Sequence, residues 1–246
     1  MSAIQVVNGV GDLDGEGLAS LLQTSGVETA GLEYSLIAIM GPQSSGKSTL
    51  LNHVFGTSFR EMDASSGRSQ TTQGIWLAVS PKLKEDTTLV LDLEGTDGRE
   101  RGEDDTNFER QSALFALAVA DVLLINLWHH DVGREHGSGK PLLKTIQQEN
   151  LKLFDSGRRK TLVFVIRDRS SKTPLEALAK TLREDLDKVW SGLSKPETPS
   201  AEDARPWDLE SRFNLIFTSL PNYEEKEEEF DRALEQGDTE AAAEAI

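Results

Sequence analysis

Residues 41–48 constrain this chain more than any other stretch, because they match the pattern G-x-x-x-x-G-K-[ST] in full. They follow Tyr34–Met40, an apolar run with strand character, and lead into residues 49–55, which have the pattern of a helix. A glycine-rich turn between a strand and a helix start is the context in which this pattern binds phosphate. The sequence therefore predicts a phosphate-binding loop, hereafter the P-loop, at residues 41–48.

The P-loop offers backbone N–H groups and one ammonium to a polyphosphate. Gly41 and Gly46 allow backbone conformations that a Cβ would prevent, so that successive N–H groups can point inward. The helix that starts near Lys47 adds unpaired N–H groups and the positive end of its dipole. We expect Lys47 to reach the β- and γ-phosphates and the Ser48 hydroxyl to ligate Mg²⁺. The residues of this stretch predicted to contact a nucleotide are Gly41, Gln43, Ser44, Ser45, Gly46, Lys47, Ser48 and Thr49.

Strands and helices alternate along most of the chain. Strands are predicted at Tyr34–Met40, Ile75–Val79, Thr87–Leu93, 121–127, 161–166 and 213–218, with a possible edge strand at Ile4–Val7. Helices are predicted at 15–23, 49–55, 108–119, 141–154, 174–190, where Thr173 would be the N-cap, and 223–234. This order indicates a three-layer α/β P-loop NTPase fold, with a mostly parallel central sheet, helices on both faces and an acidic helical C-terminal segment. Ligands of such folds bind at the carboxyl ends of the strands.

Charge and cysteine content exclude several classes of function. The net charge of −16 disfavours nucleic acid as the main partner, since that task relies on a basic surface. With no cysteine, disulfide scaffolds, thiolate metal sites and cysteine nucleophiles are ruled out.

Residues 222–246 hold ten Asp and Glu against two Lys and Arg, which is typical of a solvated helix, an acidic docking tail being the alternative. The most apolar window, residues 113–128, is too short for a bilayer, and no signal peptide is visible, so we expect a soluble chain.

A second part of the site is expected where the strand Thr87–Leu93 ends. Asp92 and Gly95 form a D-x-x-G pattern, in which the carboxylate holds Mg²⁺ through water and the glycine N–H bonds the terminal phosphate. In the polar loop before Ile75–Val79, a threonine hydroxyl could complete the Mg²⁺ shell. Thr72 is the first candidate and Thr71 the second.

Nucleobase selection should come from the end of a later strand. Asp168 follows the strand predicted at residues 161–166, and a carboxylate can accept two hydrogen bonds from N1 and N2 of guanine. Adenine lacks that pair of donors, so Asp168 favours GTP over ATP. A strand-end Asp is also a common helix cap, which is the alternative.

Together these motifs resemble those of the guanylate-binding protein and atlastin type of large GTPase. The resemblance rests on the P-loop, the run TQGIW at residues 72–76, DLEG at 92–95 and the pair Arg167-Asp168. Longer runs resemble the plant and fungal atlastin-like branch, the root hair defective three family: MGPQSSGKSTLLNH at 40–53, GRSQTT at 67–72, KPLLKT at 140–145 and TPLE at 173–176. The similarity extends from about residue 34 to residue 229.

The resemblance implies a dynamin-like GTPase on the cytosolic face of the endoplasmic reticulum. Its members dimerise across the nucleotide face, and GTP hydrolysis drives homotypic membrane fusion through regions that are absent from this chain. It also implies that Arg167 and Asp168 contact the nucleotide. We accordingly divide the chain into an N-terminal extension (1–33), a GTP-binding domain (34–221) and the acidic helical segment (222–246).

The P-loop departs from that of atlastins and guanylate-binding proteins, which carry an arginine where this chain has Ser44 and Ser45. Another cation must then stabilise transition-state charge. Arg68 is our candidate, with Arg99 and Arg101 next, and exposed loop cations are the alternative for all three. The pair His129-His130 is expected near the nucleotide or a dimer partner rather than on a metal, because adjacent loop residues rarely give facing ligands.

The sequence thus predicts a Mg²⁺-dependent GTP hydrolase. Lys47, Thr72, Gly95 and Arg68 are the predicted catalytic residues, and Ser48, Thr72 and Asp92 the predicted metal ligands. Two alternatives remain open. One is a GTP-gated dimerisation module whose turnover is incidental, and the other is an ATPase of similar fold.

Overall fold

In the computed structural model, residues 2–61, 72–83, 87–95, 105–134, 159–192 and 208–235 are described. Within them, seven strands form one sheet in the order β1-β3-β4-β2-β5-β6-β7. The strands are β1 Ile4–Val7, β2 Tyr34–Met40, β3 Ile75–Val79, β4 Thr87–Leu93, β5 Val122–Trp128, β6 Lys160–Arg167 and β7 Phe213–Ser219. Strands β4, β2, β5, β6 and β7 run parallel, whereas β3 is antiparallel to both β1 and β4. The predicted mostly parallel sheet is confirmed.

Helices cover both faces of this sheet. They are α1 Gly15–Ser25, α2 Val27–Ala30, α3 Lys47–Phe55, α4 Asp105–Val119, α5 Leu175–Ser191, α6 Leu209–Arg212 and α7 Glu227–Glu235. Alternate residues of β2 divide between two cores, as the pleat of a strand requires. Leu36, Ala38 and Met40 pack with the face covered by α1, α2, α4, α5 and α6, while Ile37 and Ile39 pack with the face covered by α3 and α7. The fold is therefore the three-layer α/β arrangement expected from the sequence.

The starts of α5 and α7 differ from the predictions. Thr173 is not the N-cap of α5, because Pro174 occupies that position and no side chain caps the helix. The Thr173 carbonyl instead accepts a hydrogen bond from Arg169, at 2.7 Å. The last helix begins at Glu227 rather than at residue 223, because Asn222 holds the preceding residues in a turn through its side chain and its carbonyl.

The bounds of β1, β2, β3 and β4 match the predictions, and the remaining boundaries shift by no more than three residues. Helix α4 begins three residues before the predicted start at residue 108, and β5 begins at Val122 because Asp121 turns its carboxylate to the N–H of Leu36, at 3.0 Å. The helix predicted at 141–154 lies outside the described residues.

The acidic C-terminal segment is described as far as Glu235. Helix α7 packs on the sheet beside α3, where Phe230 is fully buried and Ala233 and Leu234 contact the same core. None of the helices in the described parts of the chain combines the length and hydrophobicity needed to cross a bilayer.

Candidate functional site

The backbone of residues 41–48 takes conformations that most side chains would prevent. Gly41 has φ +152°, and a Cβ there would lie 2.2 Å from the carbonyl oxygen of Asn126. Ser44 and Gly46 also have positive φ, at 58° and 73°. A non-glycine residue in this region is strained, and such strain concentrates at ligand sites. The P-loop is thus a tight turn laid against β5.

Two buried side chains hold the P-loop from beneath. Asn126, fully buried on β5, donates from Nδ2 to the carbonyl oxygen of Ser45 at 2.8 Å and to its hydroxyl at 2.9 Å. Arg167, at the end of β6, donates from one guanidinium nitrogen to the carbonyl oxygens of Ser45 (3.1 Å) and Gly46 (3.0 Å). The Ser45 hydroxyl itself donates to the Pro42 carbonyl at 2.7 Å. These contacts fix which way the peptide groups of the loop point.

Lys47 is held inside the curve of the P-loop. It is 6% exposed, and its Nζ donates to the carbonyl oxygens of Gly41 at 3.3 Å and Pro42 at 3.1 Å. Burial lowers the pKa of this ammonium, and the carboxylates of Asp92 and Glu94 oppose that shift. A desolvated cation held by weak neutral acceptors is a strong attractor for an incoming polyanion.

Three oxygen-bearing side chains converge beside Lys47. The Ser48 hydroxyl donates to Asp92 Oδ2 at 2.6 Å, the Thr72 hydroxyl lies 3.2 Å from that of Ser48, and Thr72 is 3.5 Å from the same carboxylate oxygen. Asp92 is 1% exposed, and burial raises the pKa of its carboxyl group. The second carboxylate oxygen, Oδ1, is buried with no hydrogen-bond partner among the described residues.

That unpaired oxygen is the feature of this cluster that needs an explanation. A buried polar atom without a partner is rare, and a missing ion is one of its recognised causes. Hydroxyl and carboxylate oxygens are the ligands that Mg²⁺ prefers. The donor set of Ser48, Thr72 and Asp92 therefore fits Mg²⁺.

Gly95 leaves no room for a side chain at this point. A Cβ there would lie 2.5 Å from the Cα of Gln43 and 2.9 Å from Nζ of Lys47. Its neighbour Glu94 accepts from the N–H of Gly74 at 2.6 Å and donates its own N–H to the Gly74 carbonyl, so that the start of β3 is fastened to the end of β4. The absence of a side chain at residue 95 lets the two loops touch.

Asp168 lies directly after β6 in the left-handed region, with φ +57°. Its Oδ2 accepts a hydrogen bond from Nδ2 of Asn222 at 3.1 Å, which ties the end of β6 to the loop after β7. Arg167, the residue before it, is 3% exposed and faces the P-loop carbonyls. Burial lowers the pKa of Arg167 to about 10, so its guanidinium stays protonated at neutral pH.

The structure brings most of the predicted site residues to the ends of β2, β4 and β6. Thr49 turns its hydroxyl away from the cluster and donates to Glu61 at 2.8 Å. The pair His129-His130 begins a short 3₁₀ turn after β5, where the ring of His130 stacks on Trp128 at 5.9 Å. Four predicted or candidate residues, Arg68, Thr71, Arg99 and Arg101, lie outside the described residues.

Sequence reasoning missed three residues of this site. Asn126 and Asn222 each bind a predicted site residue, and Glu94 anchors the loop that carries Thr72. A polar residue inside the otherwise apolar run of β5 was a usable signal for Asn126. Nothing in the local pattern pointed to Asn222, because its partner is 54 residues away.

The P-loop of this chain connects a parallel strand to a helix, and it contains a buried lysine and lies beside an acid from the adjacent strand. This arrangement defines the class of P-loop nucleoside triphosphatases. Within that class, the model of the Root hair defective 3 GTP-binding protein (RHD3) GTPase domain matches residues 40–243. The chain therefore belongs to the RHD3 GTPase family, and it is a GTP-binding and GTP-hydrolysing domain.

Relatives in plants and beyond agree with this assignment. The chain is 55% identical over 94% of its length to Protein ROOT HAIR DEFECTIVE 3 homolog 2 of Arabidopsis thaliana, and 56% identical over 92% to Protein ROOT HAIR DEFECTIVE 3 of Oryza sativa subsp. japonica. It is 49% identical over 83% to the SEY1 homolog of Dictyostelium discoideum. It covers only 27%, 27% and 23% of these three proteins, respectively.

Proposed function

We propose that this domain hydrolyses GTP with a Mg²⁺ ion held by Ser48, Thr72 and Asp92. The observation that carries the proposal is the carboxylate of Asp92, whose Oδ2 meets the hydroxyls of Ser48 and Thr72 while its buried Oδ1 has no partner among the described residues. When bound, Mg²⁺ would neutralise negative charge on the β- and γ-phosphate oxygens.

The phosphates would be held by the P-loop backbone and by Lys47. The carbonyls of Ser45 and Gly46 point at Arg167, and in a trans peptide the N–H lies opposite the carbonyl. The N–H groups of Gly46 and Lys47 therefore point away from Arg167 and are available to an anion. An incoming phosphate would also replace the two carbonyls that Lys47 contacts here.

Hydrolysis in this site would depend on positioning and charge rather than on a strong base. We assign no general base, since phosphoryl transfer to water does not require one. Thr72 and the Gly95 N–H would contact the γ-phosphate and thereby report its presence. Arg68 remains our candidate for stabilising transition-state charge, in place of the P-loop arginine that this chain lacks.

Guanine would be recognised by Asp168. The carboxylate is anchored through one oxygen by Asn222, which leaves lone pairs on both oxygens for the N1 and N2 donors of the base. Membership of a GTP-binding family supports this reading over the ATPase alternative.

The dependence of the rate on Mg²⁺ in Ser48→Asn tests this proposal. The wild-type chain should hydrolyse GTP with Mg²⁺ and stop in excess chelator. Ser48→Asn should lose roughly 100-fold or more of the Mg²⁺-stimulated rate, as expected when a charge-stabilising group is removed. Ser191→Ala, which removes an exposed hydroxyl at the end of α5, is the matched control. Unchanged Mg²⁺ stimulation in Ser48→Asn would refute the ligand assignment.

The wider role is proposed from the family. The chain spans about a quarter of the length of its curated relatives, so the activity of a whole protein of this family is a proposal for it. We propose GTP-dependent dimerisation across the nucleotide face, acting in homotypic fusion at the cytosolic face of the endoplasmic reticulum. A GTP-gated interaction module with incidental turnover is the alternative.

A further inference from the structure

Helix α7 reaches the P-loop through one aromatic ring. Phe230 is fully buried, and the Cζ atom of Arg167 lies 5.3 Å from the centre of its ring, within the range of a cation–π contact. Arg167 is the same side chain that binds the carbonyls of Ser45 and Gly46. A chain of direct contacts therefore runs from α7 through Arg167 to the P-loop.

The ring stabilises this cation together with the P-loop carbonyls and the charge of Asp168. One guanidinium nitrogen binds the P-loop carbonyls, while the buried Nε has no hydrogen-bond partner among the residues that the structure describes. A Cβ on Gly46 would lie only 3.1 Å from two of the guanidinium nitrogens, so the loop rests directly on this group. If the guanidinium moved, each carbonyl would lose one of its two donors, since Ser45 would keep only Asn126 and Gly46 only the N–H of Leu50. The N–H groups of Gly46 and Lys47 would then be held less firmly in direction.

Phe230 is in turn held by aromatic neighbours. The rings of Tyr223 and His53 meet it edge-on, at 5.1 Å and 5.8 Å between centres. His53 belongs to α3, the helix that begins with Lys47, and its Nδ1 lies 3.2 Å from Asp231 of α7. The position of the ring therefore depends on how α7 packs against α3.

We propose that Phe230 is a positioning residue for nucleotide binding. Its ring holds Arg167 beneath the P-loop. The packing of α7 against α3 therefore determines how tightly the loop retains a guanine nucleotide. This inference rests on the proposed nucleotide site and adds to it a control that acts from the C-terminal helix.

The test compares two cation–π pairs that lie on opposite faces of the sheet. Phe230→Leu keeps an apolar side chain but removes the ring, and it should speed the dissociation of GDP, followed with a fluorescent analogue, by roughly 5- to 30-fold. Phe217→Leu is the control, because Arg183 lies 4.8 Å above the Phe217 ring in the other core, away from the P-loop. It should lower the thermal midpoint comparably and change dissociation less than twofold. Equal dissociation rates in the two variants would overturn the inference.

Fluorinated phenylalanines at residue 230 keep the test valid if the leucine variant fails to fold. Successive fluorine atoms weaken the negative face of the ring with little change of shape, so GDP dissociation should quicken stepwise. A flat series in a chain whose wild type binds GDP normally would overturn this inference alone. A wild type that bound no guanine nucleotide would overturn the proposed function, and this inference with it.

Discussion

Single residues under backbone strain mark the site. Among the described residues, the non-glycine positions with positive φ are Ser44 and Asp168. Each costs of order 1–3 kcal/mol unless its surroundings favour the conformation. Asp168 tolerates it better than most residues, and Asn222 fixes its carboxylate. One of these positions, Ser44, lies in the P-loop, and the other, Asp168, lies at the proposed base site.

Asp168→Asn should change which nucleobase the domain selects. Asparagine also tolerates positive φ, so the fold should survive, but an amide cannot accept both hydrogen bonds from guanine. Loss of a charge-assisted contact predicts about 10- to 150-fold weaker GTP binding, with XTP gaining relative to GTP. Competition among GTP, XTP and ATP measures this, with the exposed Asp187→Asn as control. Retained preference for GTP would place base recognition at another residue.

Strand β5 supports the P-loop as well as the sheet. It lies between β2 and β6, and its residue Asn126 interrupts an otherwise apolar, buried run. The Nδ2 of Asn126 makes two hydrogen bonds to Ser45, whereas its Oδ1 is buried without a partner among the described residues. A buried oxygen without a hydrogen bond lowers the stability of the fold, so Asn126 stabilises the P-loop but destabilises the core around β5.

Asn126→Leu should therefore separate binding from stability. Leucine fills a similar volume and removes the unsatisfied oxygen, so the free energy of unfolding should change by less than about 1.5 kcal/mol. Loss of two hydrogen bonds to the P-loop should weaken GDP binding about 10-fold. Calorimetry and thermal denaturation give the two values.

Thr218→Val is the control for this experiment, because it removes a different buried oxygen, a hydroxyl on β7 away from the loop, that also has no partner among the described residues. It should stabilise the domain slightly and leave GDP binding unchanged. Equal binding by wild type and Asn126→Leu would show that Arg167 alone holds the loop.

The molecule as a whole places its polar loops at one edge. Five parallel strands end on the same side, so loops distant in sequence meet there. The ends of β2, β4 and β6 supply the P-loop, Asp92 and Asp168 in turn. An edge built in this way is the face across which the family resemblance implies that two copies associate.

Hydrolysis per molecule should rise with protein concentration if association across that face activates the enzyme. The reason is that a partner would exclude water from the site and strengthen its electrostatic contacts. Initial rates over a dilution series give the dependence, and light scattering with GDP and aluminium fluoride gives the mass. Lys47→Ala, which should not retain the nucleotide, is the control and should stay monomeric. A rate per molecule independent of concentration, with a monomeric mass, would contradict dimer activation.

Local patterns in the chain were enough to predict its class and most of its elements. Strands β2, β3 and β4 begin and end where alternation and flanking turns predict, because backbone periodicity and glycine conformations are properties of neighbouring residues. The P-loop, Asp92, Thr72 and Gly95 were found for the same reason, since each lies in a short motif with a defined place on a strand or loop.

Tertiary structure alone decided how those motifs are held. Asn126 and Arg167 meet Ser45 across 81 and 122 residues of chain. Phe230 reaches Arg167 from a helix whose acidic pattern predicted a solvated helix or a docking tail. The order of the strands sets these meetings, and no local propensity encodes it. The nucleotide chemistry is therefore readable in short motifs, whereas its support from beneath depends on contacts between residues that only the folded sheet brings together.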